Sequence, residues 1–261
     1  MKNTDIVGLI PAAGLGSRLD PIPCSKELFP VGLGPHPEHG EAHPKVAAQY
    51  LLEHMQRAGA SQAYMILRKG KWDIPAYFGD GSHVGLPLAY LVMRHPYGTP
   101  FTLDQAYDFV QGKQVMFGFP DILFEPADAF LQLLQRQEST QADVVLGAFP
   151  VARPHKWDMV DLSKSGQVTA IYPKPEQSAL RYGWAIACWG PSFTQFMHQH
   201  LQKVISEINP SVTDFEISMG KVLQAGIREG LSVQSVCFDK GTCLDIGTPE
   251  DLRQVLRTSF C

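Results

Sequence analysis

No stretch of this chain is long and apolar enough to span a bilayer, and the N-terminal MKNTDIVGLIPAAG carries too short an apolar run for a secretory signal. No block of like charge stands out. The 22 basic and 26 acidic residues leave a net charge of -4, which argues against a dedicated nucleic-acid binder and its clustered basic footprint. A small phosphorylated ligand held by local cations stays open. Five cysteines, at 24, 188, 237, 243 and 261, include no CxxC pair. Their odd number and irregular spacing read as free thiols in a reducing compartment, so the expected address is the cytoplasm. Internal repeats, low-complexity tracts and clear linkers are also missing. The expectation is therefore one domain over 1–261, built as two lobes.

What is present is an ordinary globular composition, 44% hydrophobic and 18% charged, enough for a sizeable core. Asp5–Pro11 reads as a short buried strand. Pro44–Ala58 reads as a helix, with Pro44 in its first turn, Val46, Tyr50, Leu51 and Met55 at helical spacing, and Gly59 as its stop. Strands are expected over 62–69, 87–94, 114–119 and 142–151, and a helix over 126–137. Residues 157–175 look like two strands around Ser165-Gly166, and 181–189 like another strand. Two helices follow, at 191–208 and near 214–229, the second with Thr213 and Glu216 as a capping box. A strand over 232–239 and a helix from Pro249 to Arg257 complete the pattern. Strand–helix alternation in the first half predicts an α/β fold with a mostly parallel sheet and helices on both faces. The hairpin-rich middle predicts a mixed extension.

The first strand runs into IPAAGLGSRLDPIPCSKELFPVG, residues 10–32. Glycines let a backbone approach phosphate closely, and successive N–H groups can line an anion-binding concavity. Arg18 adds a fork of donors and Lys26 a compact charge, while Pro21 and Pro23 stiffen the loop. A Rossmann fingerprint fits poorly, because Leu19 occupies the third glycine position and the loop runs on through prolines. A P-loop needs Gly-Lys-Ser/Thr, which does not occur here. Read alone, the loop is also compatible with a structural turn.

The whole string, with Gly14, Gly16, Arg18, Leu19, Pro21, Lys26 and Pro30, resembles the signature of the sugar-1-phosphate nucleotidylyltransferases, particularly the branch making UDP-glucose and dTDP-glucose. PKVAAQYLLEHMQRAGA resembles that family's first helix, and CLDIGTPEDL, near the C-terminus, a second family string. The resemblance implies a three-layer α/β/α sandwich of the nucleotide-diphosphosugar transferase (GT-A-like) type, with no appended left-handed β-helix domain. It implies a nucleotide part at about 1–150 plus 230–261, and an acceptor lobe at about 151–229. It further implies that Ala13, Gly14, Leu15 and Gly16 cradle an NTP, that Arg18 and Lys26 act in catalysis, and that Asp121 and Asp245 hold Mg²⁺ or another divalent cation. Pro120 stands where the family has the glycine before that first aspartate. Taken singly, Asp121 also reads as a helix N-terminal acid and Asp245 as a turn residue before Thr248.

The resemblance gives Lys174, in IYPKPEQ, to the acceptor phosphate, and sets Asp158, Gly183 and Trp184 near the acceptor. Pro173 replaces a sugar-binding glutamate and Asp158 replaces a glycine, so both changes touch the sugar pocket. At the base, Met93 falls where the family has a glutamine, Gly98 is kept, and Thr99-Pro100 replace Leu-Ala. Methionine cannot make the paired hydrogen bonds of a pyrimidine edge. Arg94, His95 or a different base are the alternatives, with a pyrimidine ranked first. His36, His39 and His43 read as part of a loop over 32–43 rather than a metal site, and Glu27 as the local ion partner of Lys26. The expected reaction is transfer of a nucleotidyl group to a sugar-1-phosphate or similar acceptor, with pyrophosphate leaving. The partners are thus an NTP and a phosphorylated acceptor, with no nucleic acid or membrane; a homo-oligomer is compatible. Two other classes stay open: a non-catalytic nucleotide or sugar-nucleotide binding protein, and an NAD-type oxidoreductase.

Overall fold

The computed structural model describes residues 5–35, 40–207 and 215–257. Strand β1 (Ile6–Ala12) leads into two 3₁₀ turns, Ser17–Leu19 and Lys26–Leu28. Strands β2 (Pro30–Pro35) and β3 (Ala42–Val46) form a separate antiparallel ribbon before α1 (Ala47–Arg57). Next come β4 (Gln62–Leu67), α2 (Asp73–Phe78), β5 (Leu88–Val92), α3 (Thr99–Asp104) and α4 (Tyr107–Val110). They are followed by β6 (Gln114–Gly118), β7 (Ile122–Glu125), α5 (Ala129–Thr140) and β8 (Val144–Pro150). The hairpin β9 (Met159–Leu162) and β10 (Val168–Tyr172) precedes β11 (Tyr182–Trp189), α6 (Pro191–Glu207) and α7 (Met219–Arg228). The described chain closes with β12 (Val233–Cys237), β13 (Thr242–Asp245) and α8 (Pro249–Arg257).

Nine strands make one mixed sheet. Its spine runs β5, β4, β1, β6, β11, with β1 parallel to both β4 and β6 and β11 antiparallel to β6. Beyond β11 the sheet forks. The long edge of β11 pairs with β8, which carries β12 in parallel, while Gly183 touches Met159 of the β9–β10 hairpin. Side chains alternate across β1 as a strand requires. Val7 and Leu9 join Phe101, Phe193, Leu201 and Leu223 from α3, α6 and α7 on one face. Ile10 and Ala12 join Leu51, Met55, Phe130 and Leu133 from α1 and α5 on the other. The result is the expected three-layer sandwich. Gly8 allows α1 to sit directly on β1, because a Cβ there would lie 2.7 Å from Met55 Sδ.

Several local expectations are corrected. Pro44–Val46 is strand, not helix. Proline lacks an N–H, and the β2–β3 ribbon accommodates that at its edge, so α1 begins at Ala47. Residues 32–35 and 42–43, read as loop, belong to the same ribbon, and His36 and His39 lie outside the described residues. The Thr213 cap also lies outside them. Helix α7 starts later, where Ser218 Oγ accepts from the Lys221 N–H. Helices α2, α3 and α4 and strands β7 and β13 went unread, since each is six residues or shorter and too brief to display a period.

His54 sits in this packing with its ring edge-on to Phe124, and its Nδ1 has no hydrogen-bond partner. Burial first, then the charges of Arg57 and Lys45, hold its pKa down at about 4. The unfolded imidazole binds a proton near pH 6.5, well above that value, so stability is full above about 6.5 and drains away as pH falls. Urea unfolding is expected to show about 2 kcal/mol of stability lost from this group between pH 7 and pH 5. His54→Leu is expected to flatten that part of the slope; an unchanged slope contradicts the assignment.

Candidate functional site

The C-terminal ends of β1, β4 and β6 lie along one edge of the sheet because the three strands run parallel, and open α/β sheets place ligands at that edge. Ala13–Gly16 leave β1 there, Arg68 follows β4, and Asp121 follows β6 after Phe119 and Pro120. A cleft of about 540 Å³ opens over them. Its lining includes Ala13, Gly14, Leu15, Arg18, Lys26, Met93, Gly98, Asp121, Asp158, Lys174, Trp184 and Asp245. Gly16 and Gly183 lie outside the lining. Gly16 turns the loop at φ 73°, and Gly183 backs the wall, since a Cβ there would come 2.8 Å from Trp157 Cβ.

Asp121 and Asp245 are distant in sequence and adjacent in space. The antiparallel pair β7–β13 sets Asp245 opposite Ile122, and the Ile246 N–H donates to the Asp121 carbonyl at 3.0 Å. Lys26 donates to Asp121 Oδ2, and its Nζ lies 3.6 Å from where a Cβ on Gly14 would be. Burial pushes the Asp121 carboxyl up, but Lys26 outweighs it and keeps the group below the ordinary aspartate range. Burial likewise pulls the Lys26 ammonium down, and Asp121, Glu27 and Asp245 together hold it above its usual value. Asp245 shifts the other way: burial and then the Asp121 charge raise it, although its Oδ1 accepts from the Gly247 N–H at 2.7 Å. Gly247 is required by close approach. A Cβ there would lie 2.8 Å from Asp245 Oδ1 and 3.0 Å from Arg18 Nη2.

Glu27 is not the partner of Lys26. It forms a bidentate pair with Lys71 at 2.7 Å, because the 3₁₀ turn at Lys26–Leu28 points adjacent side chains in different directions. Neither Arg94 nor His95 lines the cleft; His95 stacks on Tyr97 instead. The residue that sequence reading missed on this side is Arg68, whose Nε donates to the Ala13 carbonyl at 3.1 Å. A cation directly after a parallel strand was the available signal. Lys156 also lines the cleft and pairs with Asp251 at 2.6 Å, alongside Arg153 at the same distance.

Among the described residues no group of three or more His, Cys, Asp or Glu side chains is placed to hold a metal ion. Two converging carboxylates beside an open cleft nonetheless suit Mg²⁺, which keeps several waters and takes one or two carboxylates with phosphate oxygens. The donor set therefore fits a divalent ion that arrives with a phosphorylated substrate.

The architecture is that of an α/β sandwich with an open cleft at the parallel edge of its sheet. A family model described as Nucleotidyl transferase matches residues 7–259, and the chain belongs to that family. A low-salt glycan biosynthesis nucleotidyltransferase of Haloferax volcanii is 24% identical over 94% of this chain and 63% of its own length. A glucose-1-phosphate thymidylyltransferase of an Actinoplanes species is 27% identical over 94% of this chain and 75% of its own. The fold is similar to that of a Bacillus anthracis structure designated a glucose-1-phosphate thymidylyltransferase. That likeness has a TM-score of 0.79 at 18% identity, covering 98% of this chain and 97% of the other. The family assignment sets aside the oxidoreductase alternative.

Asp245→Asn removes the repulsion from Asp121 while keeping an oxygen for the Gly247 N–H. The metal-free protein is expected to melt about 2–4 °C higher, the rise that about 1 kcal/mol gives a chain of this size. Calorimetry in a chelating buffer measures this, and a lower melting temperature contradicts the repulsion.

Proposed function

We propose that the chain transfers a nucleotidyl group from an NTP to a phosphorylated acceptor of the sugar-1-phosphate type and releases pyrophosphate. The observation that carries this reading is the juxtaposition of Asp121 and Asp245 beside Lys26 and Arg18, at the mouth of the glycine loop. An acceptor phosphate oxygen attacks the α-phosphorus, a bond to phosphorus forms, and the α–β bridging bond breaks. The protein need form no covalent bond, so positioning and charge neutralisation suffice.

In this proposal Ala13, Gly14, Leu15 and Gly16 shape the backbone cradle, with Gly16 acting through the turn. Arg18 meets charge growing on pyrophosphate, and Lys26 moves between Asp121 and the α-phosphate. Asp121 and Asp245 would hold the divalent ion, which neutralises and orients the triphosphate when bound. Met93 and Gly98 bound the base end, where the guanidinium of Arg68 suits the carbonyl oxygens of a pyrimidine. Lys174 holds the acceptor phosphate, with Asp158 and Trp184 beside it and Gly183 behind. Four described cysteines are free, and among the described residues no helix is long and apolar enough to cross a membrane. Both accord with a proposed cytoplasmic address.

Incubation with each common NTP, a panel of phosphorylated acceptors and Mg²⁺ is expected to release pyrophosphate. Asp121→Asn is expected to lower kcat at least about 100-fold, the scale of losing one preorganised charge at a transition state. Removing divalent ions with a chelator is expected to abolish turnover. Tight NTP binding without pyrophosphate from any pairing would instead establish a non-catalytic binding protein.

A further inference from the structure

The acceptor end of the cleft holds polar atoms that the transfer chemistry does not use. Asp158 Oδ2 accepts from the Gly220 N–H at 3.1 Å, at the start of α7, and the carboxyl group also faces the charge and the backbone N–H of Lys174. Gly220 is required there, because a Cβ would lie 2.2 Å from that oxygen. Lys174 has φ 41°, a left-handed conformation rare for a side-chain-bearing residue, and the Asp158 contact accompanies it. The other oxygen, Asp158 Oδ1, is buried with no hydrogen-bond partner. The indole N–H of Trp184, a residue only 4% exposed, also has none. Both residues line the cleft.

A buried carboxylate oxygen without a donor is costly, and a ligand that brings a donor relieves that cost. The surroundings limit which donor. Phe119, Trp157 and Trp184 form the nearby wall; the hydroxyls of Thr99, Thr102 and Ser218 are the neutral donor–acceptor side chains of the lining, Glu216 adds a further acid, and among the described residues no Asn, Gln, His or Tyr lines the cleft. A polyhydroxylated ring is ordinarily gripped by several neutral donor–acceptor side chains. A compact ammonium needs only an anion and aromatic faces.

We propose that the acceptor site takes a phosphomonoester bearing a positively charged amine, with Asp158 reading the ammonium and Lys174 the phosphate. This rests on the nucleotidyl-transfer reading and names its acceptor class. The amine takes no part in bond making: the acceptor phosphate oxygen bonds to the α-phosphorus, pyrophosphate leaves, and the nitrogen keeps its protons.

Calorimetric titration of the full chain in Mg²⁺ buffer tests this with two matched pairs. Ethanolamine phosphate is compared with 2-hydroxyethyl phosphate, and glucosamine 1-phosphate with glucose 1-phosphate. In at least one pair the amine is expected to bind about tenfold tighter or better, the scale of a charge-assisted hydrogen bond. The pair that discriminates tells an aminoalkyl from an aminosugar acceptor. Asp158→Asn keeps an oxygen for the Gly220 N–H and is expected to erase the preference. Equal binding in both pairs, no binding by any of the four, or a preference surviving Asp158→Asn overturns the proposal. The wild-type comparison decides even where the variant is unstable. An amine preference without pyrophosphate release from any NTP would overturn the transfer reading and leave the amine site standing.

Discussion

Two carboxylates held side by side in a half-buried cleft repel one another, and the sheet edge around them is arranged to contain that repulsion. Asp121 keeps its charge because Lys26 reaches it across Gly14. Asp245 has Arg18 near it and the Gly247 N–H on its oxygen, yet still carries the burden of its neighbour. A cation placed between the two carboxylates would relieve that burden. The glycine loop beside it offers the opposite electrostatics, backbone N–H groups and two cationic side chains. An anion with a hard cation attached is complementary to both halves.

The fold produces this pairing by topology. β1, β4 and β6 run parallel, so their exits share an edge and bring the loop, Arg68 and Asp121 together. The short β7–β13 ribbon then carries Asp245 to the same place from the far end of the chain. Asp251, at the head of α8, binds Arg153 and Lys156 and fastens the C-terminal helix to the turn that precedes the acceptor hairpin. Thr248 Oγ1 donates to the same carboxylate at 2.6 Å and accepts from the Asp251 N–H at 3.3 Å, so Thr248 caps the helix while the buried acid joins two segments.

The acceptor end is built differently. Its polar atoms belong to β9's approach, the loop after β10 and the start of α7, and they are tied to one another through Asp158. Aromatic rings rather than amides surround them. In the proposed reading the contrast separates a nucleotide end dominated by backbone and paired charges from an acceptor end where Asp158 lies among aromatic faces, with Glu216 and Ser218 also in the lining.

Long periodic segments and the two motif strings were legible from residue order alone. Strands β4, β6, β8 and β11 fall within the segments their apolar patterns mark, and α5 lies three residues beyond the expected 126–137, because burial of one face imposes a period on the sequence but does not fix where it begins. Short elements such as α2, α3 and β13 escaped, since a few residues carry no period, and Pro44 misled because proline suits both a helix's first turn and a strand edge. By itself the sequence determined the α/β class and the glycine loop, which are local facts of residue type and spacing, while Arg18, Lys26, Asp121 and Asp245 were singled out by the resemblance of whole strings to a family. Only the tertiary structure decided that Glu27 turns to Lys71, that Arg68 faces the cleft, and that Asp158 keeps one oxygen unpartnered. Those outcomes depend on which surfaces meet when distant segments pack, and no local pattern encodes that.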